Sequence, residues 1–152
     1  MFTREQLALN FYSPGEPEEM PLMEVVNFNS RRFQGRSGVG DFVALCGYKT
    51  DFPSSLQYWL WSFQYFSGKS LETHLYRLIE EDLLCEPLTH EEYFTRIDGL
   101  ITNLKRLPDF LHRKNVHAAM DVFSGMNMGG YRSSWLAEFD DAFIAFHNHS
   151  ED

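Results

Sequence analysis

The segment Tyr58-Trp59-Leu60-Trp61-Ser62-Phe63-Gln64-Tyr65-Phe66 most constrains the fold, because it is apolar or aromatic around most of a helix circumference. A helix without a polar face belongs at the centre of a protein, where neighbouring elements cover it on several sides. Large aromatic side chains pack in cores more often than they line pockets. We therefore predict a central core helix, with an aromatic-lined pocket or a Tyr- and Trp-rich interface as the alternative.

Start and stop signals for helices recur after Pro53. Each segment is opened by a capping residue or a proline and closed by a glycine or a proline. The predicted helices are Leu56–Phe66, Leu71–Leu84, Tyr93–Leu104, Pro108–Phe123 and, behind Ser134, Trp135–Phe146. The third is the clearest, because Thr89 and Glu92 form a capping box before an apolar stripe at helical spacing. The sequence predicts a mainly α fold, a compact bundle of about five helices after residue 53.

The N-terminal third looks irregular. The run Ser13-Pro14-Gly15-Glu16-Pro17 breaks any early helix that Thr3 caps. Leu22–Phe28 fits a short strand and a helical turn equally, because its apolar residues satisfy neither period cleanly. Asp41 is a suitable cap for a short apolar helix over Phe42–Cys46.

Length and composition favour one domain. The chain has 152 residues, of which 43% are hydrophobic and 16% aromatic, far from the composition of disordered segments. We expect a single globular domain over 1–152, with an irregular part over 1–52 and a helical body over 53–152. The start of the chain shows no signal-peptide pattern, and no apolar run approaches the roughly 18 residues of a membrane span. We expect a cytoplasmic protein that does not cross a membrane.

The sequence gives weak support for a cofactor or metal site. The turn Gly35–Asp41 beside Arg31, Arg32 and Arg36 is compatible with an anion site, but it lacks the lysine and Ser/Thr ending of a P-loop and is better explained as a flexible loop. His112 and His117 are five residues apart, whereas two zinc ligands on a helix need a spacing of about three or four. His147 and His149 leave the question of metal binding open. The two cysteines, Cys46 and Cys85, have no CxxC spacing and are expected as reduced, buried thiols.

Catalytic patterns are equally weak. Glu80, Glu81 and Asp82 are adjacent, so on a helix they fan out about 100° apart and do not converge on one substrate. The sequence has no GxSxG elbow and no recognisable nucleophile and histidine signature. We expect no cofactor and no enzymatic activity, with an enzyme built on a buried carboxylate pair as the less favoured alternative.

Acidic residues are unevenly distributed along a chain of net charge −9. Residues 72–92 hold seven carboxylates against Arg77 alone, and residues 133–152 hold five without any lysine or arginine. Basic residues collect on another segment at Lys105, Arg106, Arg113 and Lys114. A field of this sign repels nucleic acid and lipid headgroups and attracts cationic partners. We expect a cationic protein partner, and neither direct nucleic-acid binding nor membrane binding.

Proteins that bind or cleave nucleic acid carry basic clefts, and a small acidic protein that occupies such a cleft inhibits them. In size, charge and lack of catalytic motifs the chain is similar to the small acidic immunity proteins that bacteria make against nuclease toxins. This similarity implies an inhibitor that covers the active site of a cationic toxin. A self-associating helical scaffold or regulatory module and a phage-type nucleic-acid mimic are the alternatives. The predicted partner contacts are Glu80, Glu81, Asp82, Glu91, Glu138, Asp140 and Asp141, with an exposed aromatic residue, Tyr131 or Trp135, as the anchor.

Overall fold

The computed structural model describes residues 1–11, 21–27, 40–67, 80–101, 109–127 and 130–151. These residues form a six-stranded antiparallel β-sheet with helices packed on both of its faces. The predicted mainly α bundle is therefore wrong, and so is the helical body predicted over 53–152. Among the described residues, no helix is long and apolar enough to cross a membrane.

Three α-helices and six strands make up the described part of the chain, joined by two short 3₁₀ helices. The α-helices are α1 (Arg4–Phe11), α2 (Ser55–Ser67) and α3 (His90–Ile101). The strands are β1 (Glu24–Asn27), β2 (Gly40–Tyr48), β3 (Leu83–Leu88), β4 (Ala118–Asn127), β5 (Gly130–Glu138) and β6 (Ala142–Glu151). The 3₁₀ helices cover Glu80–Asp82 and Asp109–His112.

The sheet order is β1-β2-β6-β5-β4-β3, and every neighbouring pair is antiparallel. Strands β4, β5 and β6 follow one another as a meander, whereas β2 pairs with β6 across a long separation in sequence. Strands β1 and β3 are the two edges. Three strands, β6, β5 and β4, therefore separate β2 from β3 in the sheet, and α2 lies between β2 and β3 in the chain.

Two hydrophobic clusters lie on opposite faces of the sheet. On one face α1 and α2 contribute Leu7, Tyr58 and Trp59, which pack on side chains of the central strands. On the other face α3 contributes Tyr93 and Ile97. Successive residues of β6 alternate between the clusters, as the two-residue period of a strand requires. Both faces of the sheet are consequently buried.

Burial on both faces explains why β5 and β6 resemble a helix in sequence. The apolar residues of Trp135–Phe146 occur at helical spacing, but Phe139–Asp141 is a turn between two strands, and Ser134 is a β5 residue rather than a helix cap. Because both faces carry apolar side chains, the alternation typical of a half-exposed strand is absent. Cross-strand packing, such as the stacking of Trp135 on Phe146 at 3.8 Å between ring centroids, outweighs local helix propensity.

Two further helix predictions are wrong for related reasons. Phe42–Cys46 lies inside β2, where it alternates between the faces. In the described part of the predicted helix Pro108–Phe123, the 3₁₀ helix Asp109–His112 is followed by β4 from Ala118. A β-bulge between Asp121 and Phe123 breaks the alternation in β4.

The sequence predictions are confirmed where contacts between residues a few positions apart determine the structure. The predicted core helix Leu56–Phe66 is confirmed as α2. The predicted capping box is also confirmed, because Thr89 Oγ1 accepts from the Glu92 N–H at 3.0 Å and Glu92 Oε1 accepts from the Thr89 N–H at 3.1 Å. Thr3 caps α1 in the same way. Of the two interpretations of Leu22–Phe28, the strand is confirmed by β1. The N-terminal part is thus not irregular where it is described.

One predicted helix is only partly open to comparison. Most of Leu71–Leu84 falls outside the described residues. Its last five residues form the 3₁₀ helix Glu80–Asp82 and the start of β3. These residues are not α-helical, because Leu83 is paired with Phe123 in the sheet.

Candidate functional site

The acidic residues predicted as partner contacts lie at two opposite ends of the sheet. Glu138, Asp140 and Asp141 belong to the β5–β6 turn, at the end where β4 starts at Ala118. The 3₁₀ helix Glu80–Asp82 lies at the other end, where β3 pairs with the last part of β4. The sheet separates Glu80–Asp82 from this turn, whereas Glu91 follows β3 at the same end as the turn, because the neighbouring His90 ring lies 3.3 Å from the His117 carbonyl.

Each carboxylate of the β5–β6 turn pairs with a basic side chain from a distant part of the chain. The pairs are Lys49 with Glu138, Arg113 with Asp141, and His117 with Asp140. The absence of lysine and arginine from residues 133–152 is therefore compensated by tertiary contacts. Three permanent cations, Lys49, Arg113 and Lys114, lie at this end beside the three carboxylates, which leaves a weak local field.

Arg113 organises this end of the molecule. Its guanidinium donates to both carboxylate oxygens of Asp141 and lies 5.9 Å from the ring centroids of Tyr48 and Phe139. The hydrogen bonds from Arg113 lower the pKa of Asp141 below its ordinary value. The Tyr48 hydroxyl donates to Glu24 at 3.0 Å, and this bond raises the Tyr48 pKa. The turn is thus fixed by its ion pairs, and its charge is largely satisfied within the molecule.

Glu80, Glu81, Asp82, Glu86 and Glu91 form a second surface, the acidic edge, along β3 and its two flanks. Six strand residues at about 3.3 Å each give the edge a length of about 20 Å. Residues 80–95 contain no lysine or arginine. Within the described part of the chain, none of these five carboxylates forms an ion pair. The acidic edge therefore keeps its charge.

Strand β3 has features that disfavour pairing with another strand. Pro87 is exposed and has no N–H to donate. The register shifts between Leu83 and Glu86, and Cys85 there has a φ of 47°, in the left-handed region. Bulges, proline and charge on an edge strand all block edge-to-edge association. A partner at this edge is expected to contact side chains rather than extend the sheet.

Glu86 is an exposed carboxylate that the sequence did not single out, and Trp135 is buried, whereas an exposed ring was expected. Glu86 is exposed in the middle of the acidic edge, and the proline after it was the available signal for an edge strand. Trp135 is only 6% exposed, stacked on Phe146 and covered by Arg96, so it does not offer a ring to a partner. Tyr131 is half-buried, and its hydroxyl lies 3.0 Å from Ser124 Oγ.

A polar cluster is buried between α2 and the sheet. His147 on β6 is fully buried, with Nδ1 2.9 Å from Ser134 Oγ and Nε2 2.8 Å from Ser62 Oγ. Trp59 Nε1 donates to Ser134 Oγ at 2.7 Å, and Ser62 Oγ donates to the Trp59 carbonyl at 2.8 Å. Burial lowers the His147 pKa from 6.5 to about 3, so the imidazole is neutral. The cluster holds two hydroxyls and a histidine, but none of these side chains is open to a substrate.

The aromatic residues of α2 belong to the core. Tyr58, Trp59, Trp61 and Phe63 are buried, which confirms the core interpretation of this helix. Tyr65 is the exception, at 49% exposed. The self-associating scaffold depended on these rings as a binding surface, and the packing removes most of that surface.

The two cysteines are unreactive in their surroundings. Both are free thiols, Cys46 buried and Cys85 partly buried. Burial raises the pKa of Cys46 to about 12 and that of Cys85 to about 11. A thiol with so high a pKa is a poor nucleophile at neutral pH. The described residues contain no group of three or more His, Cys, Asp or Glu side chains arranged to hold a metal ion.

The described residues line surface pockets at two places. One of about 330 Å³ lies between the starts of α1 and α2, lined by Met1, Phe2, Gln6, Asn10, Ser54, Ser55 and Leu56. A smaller one of about 130 Å³ lies beside the Arg113–Asp141 pair. Neither brings together an ionisable pair suited to catalysis. The glycine-rich turn with Arg31, Arg32 and Arg36, and the basic residues Lys105 and Arg106, lie outside the described residues.

No protein-family model, no curated protein and no solved structure matches this chain. Functional inference therefore rests on its own residues, and the acidic edge is the strongest candidate among them.

Proposed function

We propose that this protein binds a cationic protein partner through the acidic edge. The observation that carries the proposal is the contrast between the two acidic groups. The carboxylates of the β5–β6 turn are paired with Lys49, His117 and Arg113, whereas those of the edge have no ionic partner among the described residues. An uncompensated acidic strip attracts a basic surface and raises its association rate by roughly 10- to 1000-fold.

We further propose that the partner is a nucleic-acid-cleaving toxin and that the protein acts as its immunity protein. A cleft that binds phosphates is lined with lysine and arginine, which is the charge pattern that complements the acidic edge. The negative field of the protein itself disfavours binding to nucleic acid. Covering the basic cleft then excludes the nucleic acid and stops cleavage.

The test compares two variants of equal charge change. The edge variant carries Glu80→Lys, Glu81→Lys and Glu86→Lys, and the control variant carries Asp51→Lys, Asp98→Lys and Asp109→Lys. All six carboxylates are exposed, and none has an ion pair among the described residues. Each immobilised protein is exposed to extract of its source cells at low and moderate salt, and retained proteins are identified by mass spectrometry.

We expect the wild-type and control proteins to retain a basic protein at low salt and to release it as salt rises. The edge variant should fail to retain it. The purified partner should cleave nucleic acid, and an equimolar amount of the wild-type protein should stop that cleavage. Equal retention by both variants would refute the edge assignment, and a partner without nuclease activity would refute the immunity role.

A further inference from the structure

The hydrogen bonds around His147 form a closed ring, and one assignment of the hydroxyl and imidazole protons satisfies all of them. Ser62 Oγ donates to the Trp59 carbonyl, so its oxygen must accept from His147 Nε2–H. The imidazole is then the Nε2–H tautomer, and its Nδ1 accepts from Ser134 Oγ–H. Ser134 Oγ in turn accepts from Trp59 Nε1–H, which closes the ring on the residue where it began.

We propose that this ring is an acid-sensitive lock, in which protonation of His147 releases α2 from the sheet while α3 remains packed on the opposite face. The inference concerns the fold and does not depend on the proposed function. A protonated imidazole donates from both nitrogens. Ser134 Oγ would then face two donors, Trp59 and His147, and its own proton would lose its acceptor.

The side chains that contact His147 in the described part of the chain carry no negative charge. From α2 it is faced by Ser62 and by the rings of Trp59, Phe63 and Phe66, from β5 by Ser134, and from β2 by its register partner Val43. The ionisable residues next along the same face are Asp41 on β2, Arg132 on β5 and His149 on β6, and none of them is a cause of the lowered pKa of His147, which burial lowers. Tyr58 of α2 stays neutral, because burial raises its pKa well above the ordinary value.

The lock acts on one face of the sheet only. Ser62, Ser134 and His147 are the buried polar or charged residues found among the described residues, and all three belong to the ring. The opposite cluster, which contains α3, is built from apolar and aromatic side chains. Acidification therefore adds a buried charge beneath α2 and none beneath α3.

The size of the effect follows from the difference in His147 pKa between the folded and exposed states. The folded value is depressed, so the stabilisation is present above pH 6.5 and is lost as the pH falls toward about 3. Each pH unit in this window raises the opening constant by about tenfold. Between pH 7 and pH 4.5 the opening constant of α2 should rise by roughly 75-fold.

Native-state hydrogen exchange, corrected for the pH dependence of intrinsic exchange, measures this opening for each helix. We expect protection of the α2 amides to fall by roughly 75-fold between pH 7 and pH 4.5, and protection of the α3 amides to fall much less. The variant His147→Gln keeps a donor and an acceptor but does not titrate, so it should lose the difference between the helices. A parallel fall of both helices in the wild-type protein, or no fall of α2, would overturn the proposal even if the variant does not fold.

Discussion

Replacing Tyr58 by phenylalanine tests how α2 is joined to the centre of the sheet. The Tyr58 hydroxyl donates to the Leu45 carbonyl at 2.5 Å and accepts from the Ala145 N–H at 2.9 Å. Leu45 and Ala145 are register partners on the neighbouring strands β2 and β6. One hydroxyl thus bridges two backbone groups of adjacent strands, and Tyr58 is fully buried.

The cost of Tyr58→Phe can be worked out from these two contacts. The variant leaves a buried carbonyl and a buried N–H without the partner that the hydroxyl supplied, and each such group costs about 1–3 kcal/mol. The ring itself stays, so its stacking on Phe143 is retained. We expect the free energy of unfolding to fall by about 2–6 kcal/mol.

Urea unfolding followed by tryptophan fluorescence and circular dichroism measures this change. We expect the slope of the unfolding free energy against urea concentration to stay the same. Tyr48→Phe is the matched control, because its hydroxyl donates to Glu24 at the surface and its loss should cost about 1 kcal/mol or less. If Tyr58→Phe costs no more than Tyr48→Phe, Leu45 and Ala145 pair directly without the hydroxyl, and the bridging role is refuted.

Further substitutions test local features of the fold. Gly47→Ala should destabilise the protein by about 1–3 kcal/mol, because a Cβ atom there would lie 2.6 Å from Phe52 and 2.7 Å from Tyr58 in the core. Gly99→Ala should instead stabilise it by up to about 1 kcal/mol, because a Cβ atom there would meet nothing within 4 Å outside the backbone of its own helix; equal effects in urea unfolding would contradict this. Thr89→Ala should cost about 1 kcal/mol through loss of the α3 cap. The hydrogen bonds from Thr89, first of all from its backbone N–H, lower the Glu92 pKa, so the Glu92 half of the cap stabilises the protein above the ordinary carboxyl pKa and is lost in acid. A cost of Glu92→Ala that persists unchanged in acid would argue against the reciprocal cap.

The candidate site shows where sequence reasoning about charge succeeds and where it fails. The acidic stretch over residues 72–92 was recognised from composition, and its described part forms the acidic edge. The carboxylates of the β5–β6 turn have no basic neighbours in sequence, but Lys49 and Arg113 form ion pairs with them from distant positions in the chain. Net charge along a segment says nothing about which cations fold onto it.

The sequence by itself determined the features that depend on neighbouring residues. The caps at Thr3 and Thr89 and the buried helix α2 follow from contacts within a few residues, which a linear reading captures. Only the tertiary structure decided that Trp135–Phe146 forms two strands and that His147 closes a buried ring. Side chains buried on both faces erase the alternating pattern of a strand, and the partners that stabilise it, such as Ser62 for His147, are 85 residues away in the chain.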